Sequence, residues 1–327
     1  MRLTRGHNMN NANQRNTNND LADLFIINGH VATQDKSRSF VSAIAIKNGV
    51  FLATGTDKEI LDYRNDKTKV IDAGGRTVIP GLNDSHLHII RAGLNYNMEL
   101  RWDGIPSLGE ALRRVREQVP QTPNPQWVRV VGGWSEFQFD ERRVPTVDEL
   151  NEISTKTPVF ILHLYHCALL NQAGLYAAGY TKDGPSFPAS EIQRDNSGNP
   201  TGLLTAKPNA LILYSTLDKG PKLSYPDQVN STRQFMYELN RFGVTSAIDA
   251  GGGFQNYPDN YSVINDLAKQ GLLTVRISYN LFTQRPKKEL EDFANWMKIV
   301  KPGDGNDFYR MNGAGEMLVF SAADFEN

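Results

Sequence analysis

The hydrophobic and polar positions change rhythm twice along the chain. Between Asp23 and about Val78, apolar residues come in short runs broken by turn residues. DLFIINGHVAT has the form of an apolar strand interrupted at Asn28-Gly29. SAIAIKNGVFLATG has the form of a hairpin: Ala43-Ile44-Ala45-Ile46, a Lys47-Asn48-Gly49 turn, then Val50-Phe51-Leu52-Ala53. Asn-Gly between apolar runs is a strong hairpin signal, because both turn residues can take positive φ. VIDAGGRTVIPG adds a strand, a Gly-Gly turn and a further strand. Residues 23–76 are therefore expected to form a small β-sandwich of hairpins, too small to be a catalytic body.

After Thr77 the texture changes. TVIPGLNDSHLHII starts as a buried strand and ends in polar residues, and residues 77–94 are taken as the first strand of a new series. SLGEALRRVREQV is an amphipathic helix, with Leu108, Leu112 and Val115 on one face. WVRVVGGW and PVFILHLYH read as strands, and HCALLNQAGLYAAGY as a helix stopped by Gly179. From about Tyr225 a regular beat begins. The helices SYPDQVNSTRQFMYELNRFG, NYSVINDLAKQG and KKELEDFANWMKIV alternate with strands in VTSAIDAG, LTVRISYNLF and FYRMNGAGEMLVF. Such alternation implies right-handed βα units and a parallel sheet. Residues 95–224 then form a long α/β insertion after the first strand, and 225–327 hold βα units 2–4. Four strands do not close a barrel of eight. The expected fold is α/β, an incomplete (β/α) TIM-like barrel, and the chain is expected to be the N-terminal part of a larger protein. An open doubly wound sheet is the alternative, although no Gly-rich phosphate loop follows its first strand.

Composition narrows the function. The chain has 327 residues, 39% hydrophobic and 22% charged, as an ordinary globular protein does. A net charge of −1 gives no reason to expect nucleic acid or an anionic membrane as partner. No apolar run reaches the roughly 18 residues of a membrane helix. Residues 1–22 are Asn-rich and polar, without the apolar core of a signal peptide. They are expected to be a disordered leader, in which Met9 offers a second start, and the expected location is the cytoplasm. A single cysteine, Cys167, excludes a disulfide framework and a Cys-rich zinc site. Any metal must be held by carboxylates and by the six histidines: His7, His30, His86, His88, His163 and His166.

His86-Leu87-His88 ends a buried strand. Side chains two apart on a strand share a face, so both imidazoles can reach one metal. A hydrogen-bonded pair at a strand end would look the same. Asp84 is a candidate partner for fixing a ring tautomer. Asp249 ends the second strand and points to the same end of the series, either near the site or as a cap on the Gly251-Gly252-Gly253 turn. The triple glycine lacks the spacing of a nucleotide-binding loop.

The hairpin region ending in IDAGGRTVIPGLNDSHLH resembles the start of the amidohydrolase superfamily. There PG-x-x-D-x-H-x-H joins a small β-sandwich to the first strand of a metal-bearing barrel. GGWSEFQF, YHCALLNQAGLYAAGY, GNPTGLL and FGVTSAIDAG resemble, in order, the amidohydrolase family 3 branch that contains N-substituted formamide deformylase. The resemblance implies a metal-dependent hydrolase fold and first-strand metal ligands at His86 and His88. It puts Glu316, in NGAGEMLVF, where relatives carry a bridging carboxylate or a carbamylated lysine. Lys207, in GLLTAKP, is a second candidate for a carbamylated lysine, with a substrate-side or surface lysine as the alternative. His166, before Asn171, matches a histidine that faces substrate or positions the insertion; a structural histidine is the alternative. His163 shares a strand face with Tyr165. Trp134 is a candidate pocket wall or a packing residue. The family pattern also demands two later histidines and an eighth-strand aspartate as general base. No histidine follows His166, so the base is expected beyond Asn327. The implied reaction is hydrolysis of a non-peptide C–N bond in a small amide, formamide or cyclic amide. The implied cofactor is one or two divalent ions, Zn first, with Fe or Mn as alternatives. A homo-oligomer is compatible with this reading. The rival is a catalytically incomplete fragment or pseudoenzyme acting as a binding or regulatory protein.

Overall fold

A computed structural model describes residues 21–185, 191–207 and 209–319. The expected leader lies almost wholly outside the described residues. The chain divides into two compact units, residues 1–81 and 82–327.

In the first unit, strands β1 (Leu24–Ile27), β2 (His30–Ala32), β3 (Phe40–Val41), β4 (Ala43–Lys47) and β5 (Val50–Gly55) precede the short helix α1 (Asp57–Ile60). Strands β6 (Lys69–Asp72) and β7 (Thr77–Val78) follow. They form a four-stranded sheet, order β5-β4-β1-β6, and a three-stranded sheet, order β3-β2-β7. The β4–β5 turn is the expected one: Asn48 and Gly49 take φ of 51° and 74°, the left-handed values that such a turn requires. Phe25, Ala43, Ala45 and Ile60 form the buried apolar centre.

The strand expected to run from Thr77 to the histidines is instead two strands. Thr77–Val78 pairs with β2 in the first unit. Pro80 has no N–H to donate to a ladder, and pairing resumes only at Leu82.

The second unit opens with β8 (Leu82–Leu87) and α2 (Ile89–Asn95). The helix α3 (Leu108–Gln118), capped by the Ser107 side chain, follows as expected. Then come β9 (Val128–Val131), α4 (Val147–Ile153), β10 (Val159–His163), β11 (Cys167–Leu170), α5 (Gln172–Ala177), β12 (Ile192–Arg194), β13 (Pro200–Thr205) and α6 (Leu211–Asp218). These strands make a five-stranded sheet, order β12-β13-β11-β10-β9. The expected helix over HCALLNQAGLYAAGY is half strand. Cys167–Leu170 pairs antiparallel with β10 and β13, and the helix begins only after Asn171 caps it. A run of four buried residues suits a strand enclosed between neighbours.

The last third keeps the alternating beat: α7 (Tyr225–Arg241), β14 (Val244–Asp249), α8 (Ser262–Lys269), β15 (Arg276–Leu281), α9 (Glu289–Trp296) and β16 (Tyr309–Ala314). With β8 these strands form a four-stranded sheet, order β16-β15-β14-β8, parallel throughout. Ile89, Leu94, Met236, Ile264, Leu267 and Ile277 pack between this sheet and its helices. Each fully buried Leu or Ile contributes roughly 1.5–3 kcal/mol relative to exposure. Among the described residues, no helix is long and apolar enough to cross a membrane.

Candidate metal centre

The parallel ladder delivers three donors to one place. β8 carries His86, and the chain passes through His88 into the first turn of α2. Glu316 lies two residues past the end of β16. His86 Nε2 is 2.9 Å from Glu316 Oε2, and His88 Nε2 is 3.8 Å from the same oxygen. The two imidazoles meet edge-on, their centroids 5.5 Å apart. One donor atom from each residue lies within 4.8 Å of the others. Ligands about 2.1 Å from a common ion are at most about 4.2 Å apart, so a sub-ångström adjustment would bring the set onto one ion.

His88 is oriented from behind. Its Nδ1 lies 2.5 Å from the carbonyl oxygen of Gly251. A carbonyl only accepts, so Nδ1 carries the proton and Nε2 keeps its lone pair. Burial, and next the Arg91 charge, hold the His88 pKa below its ordinary value, against the Gly251 bond and Glu316. The neutral imidazole thus points a lone pair at a carboxylate.

Asp249 holds the Gly251 turn. It is fully buried and accepts three N–H bonds. These come from Ile90 at 2.8 Å, Gly251 at 3.0 Å and the Gln255 side chain at 3.0 Å. Burial pushes its pKa up even so. Asp249 therefore caps the glycine turn and also ties it to the first turn of α2. Gly252 has φ of 122°, and a Cβ there would lie 3.1 Å from His88 Cε1. Asp84 takes the backbone N–H of His86 at 3.0 Å, not an imidazole nitrogen.

Beside His88 lies a cavity of about 530 Å³, with Arg91, Glu99, Arg129, Tyr165, Tyr214 and Phe254 in its wall. Arg91 donates to the Gly253 carbonyl at 2.6 Å. Burial pushes the Tyr214 phenol pKa up, so it keeps its proton.

The other sequence candidates do not line this cavity. Trp134 is buried, donates Nε1 to the Leu162 carbonyl at 3.1 Å and packs on Trp102 and Phe139. It is a core residue because its indole finds both an apolar shell and an acceptor there. His166 is exposed, with its ring 5.6 Å from that of His163. His163 Nε2 pairs with Glu136 at 2.9 Å. Lys207 is exposed just past β13. The sequence reading missed Arg91, Tyr214, Glu99 and Arg129, and took Gly251 only as part of a turn. Arg91 had a signal, one helical turn after His88. Arg129 had another, a charge between two valines of a buried strand.

The sequence profile of the amidohydrolase family matches residues 69–327. Protein LONG AFTER FAR-RED 3 of Arabidopsis thaliana is 30% identical over 251 residues, 74% of this chain and 40% of that protein. N-substituted formamide deformylase of Arthrobacter pascens is 32% identical over 194 residues, 58% of this chain and 36% of that protein. An uncharacterized metal-dependent hydrolase of Pyrococcus horikoshii superposes with a TM-score of 0.59 at 22% identity, covering 89% of this chain and 53% of that structure. The matched stretches thus span about half or less of these relatives' lengths.

Proposed function

The chain belongs to the amidohydrolase family, and from that premise we propose that it hydrolyses a non-peptide C–N bond with a divalent metal held by His86, His88 and Glu316. The observation that carries this is the convergence of those three side chains. The residues fit a cation for a specific reason. The neutral His88 Nε2 and the Glu316 carboxylate are both acceptors and face each other, which a shared positive ion satisfies. Two imidazoles and a carboxylate suit Zn first, and Fe or Mn by the same donor chemistry. When bound, such an ion supplies Lewis-acid charge to a substrate carbonyl and makes water a better nucleophile near neutral pH.

The remaining steps belong to the protein. The Gly251 carbonyl fixes the His88 tautomer, and Asp84 fixes the backbone that carries His86. Tyr214, at the cavity wall, keeps its proton because burial and a hydrogen bond with Tyr165 push its pKa up. Arg91 is held against Gly253 at the same wall. The substrate class is an amide, formamide or cyclic amide, and the relative named for formamide deformylation supports a formamide. On this reading β8, β14, β15 and β16 are strands of a (β/α) barrel with the site at their C-terminal ends. The two sheets of the first unit are read as a β-sandwich.

The test uses the metal-loaded chain with N-formyl amines, cyclic ureides and aminopurines, following formate release, ring opening and ammonia release respectively. Turnover that Glu316→Ala abolishes supports the reading. Turnover unchanged in Glu316→Ala, or unchanged after chelation, contradicts it.

A further inference from the structure

The cavity beside His88 carries charge that hydrolysis alone does not use. Four cationic side chains, Arg91, Arg101, Arg129 and Lys222, line it with two acidic ones, Glu99 and Asp218. Both acids already have partners. Glu99 lies 3.1 Å from Arg101, and Asp218 binds Lys222. Among the described residues, neither Arg91 nor Arg129 has a carboxylate within ion-pair distance; each spends an N–H on a backbone carbonyl, of Gly253 and of Pro221 respectively.

Arg129 is the more telling of the two. It is 3% exposed, and its Nε has no hydrogen-bond partner among the described residues. A buried guanidinium with no carboxylate within ion-pair distance is costly, yet its position is built. The pleat of β9 turns Val128 and Val130 into the apolar core, while Arg129 and Val131 line the cavity. Gly220 abuts the guanidinium so closely that any Cβ there would collide with it.

We propose that this cavity recognises a carboxylate on the substrate, held by Arg129 with Arg91. The selected substrates are then amides or formamides that carry a carboxylate away from the scissile bond. The planar guanidinium fork matches a carboxylate. Asp218 in the same wall disfavours a doubly charged phosphate more than a singly charged group. Leu94, Val131, Leu162 and Phe235 in the same wall suit the apolar body of a small organic acid.

This proposal rests on the hydrolytic reading for its substrate class, so its test measures binding and not turnover. The full chain, freed of metal with chelator, is titrated calorimetrically with N-benzylformamide and with 4-(formamidomethyl)benzoate. The carboxylate compound is expected to bind at least about tenfold tighter. Arg129→Gln and Arg91→Gln are each expected to remove most of that preference. Circular dichroism monitors folding of the buried Arg129→Gln, and Arg91→Gln carries the test if that variant does not fold. His86→Ala is expected to keep the preference, which separates this proposal from the metal reading. Equal affinity for the two compounds overturns the proposal, as does no binding of the carboxylate compound. A preference that survives in the arginine variants, or that is seen only with metal present, also overturns it.

Discussion

A neutral imidazole has one donor and one acceptor, and at His88 both are committed. The donor goes to Gly251, and the acceptor faces Glu316. The turn behind it must therefore stay where it is. Gly252→Ala adds a Cβ against the His88 ring at a backbone angle that side chains rarely adopt. This variant is expected to lose about tenfold in metal affinity, the usual cost of disturbing a ligand's support, with its far-UV circular dichroism unchanged. Chelator competition measures it, and an affinity equal to wild type would contradict the role given to the turn. Glu99 supplies a pH prediction at the same scale. Burial opposes its ionisation, Arg101, Arg129 and Arg91 favour it, and burial wins, pushing the pKa from 4.5 up to about 7. The folded state then holds the proton more tightly than the unfolded chain does. The stabilisation is full below about pH 4.5 and is lost as pH rises through about 7. Urea unfolding across this range is expected to show wild type losing stability relative to Glu99→Gln. Parallel profiles for the two proteins would sink the assignment.

Among the elements, the β10–β11–α5 region depends on one side chain. Asn171 accepts from Val159 and Gly174 at 2.9 and 2.8 Å and donates to Ser154 and Thr157 at 2.6 and 2.9 Å. All four bonds are made by a fully buried residue. Asn171→Ala leaves those backbone groups without their partner and is expected to cost about 3 kcal/mol or more, read from urea denaturation. A loss below about 1 kcal/mol would mean that water replaces the amide. This region also marks where sequence reasoning stops. Cys167–Leu170 has no alternation, and a short apolar run fits a helix as well as an enclosed strand. Only its pairing with β10 and β13 decides. The βα beat after Tyr225 was legible because helices and strands there differ in period. His86 and His88 stood out as a pair two apart, but the family resemblance marked them and Glu316 as ligands, and His88 in fact lies past β8 at the start of α2. Asp249 was legible as a residue near the site or a turn cap, but not as the tie to α2, because its bond to Ile90 spans 159 residues. The charge at Arg129 was visible, but not the cavity that its strand face meets.

At the scale of the whole molecule, the metal reading links distant parts of the second unit. β8 and β16 are the outer strands of the parallel sheet. His86 stands on the first, and Glu316 follows the second. An ion held between them fastens one outer strand to the other, and it can do so only in the folded chain. Binding of that kind stabilises by about 2.7 kcal/mol when free metal is 100 times Kd. Zn²⁺ is therefore expected to raise the thermal unfolding midpoint of wild type and to leave His86→Ala unmoved. An equal rise in both proteins would point to binding elsewhere. The most direct test is the metal content of the purified 327-residue chain, determined by inductively coupled plasma mass spectrometry beside His86→Ala. The expected result is stoichiometric Zn, Fe or Mn in wild type and its loss in the variant. A wild-type chain without stoichiometric metal, or a variant that retains it, would contradict the site built from His86, His88 and Glu316.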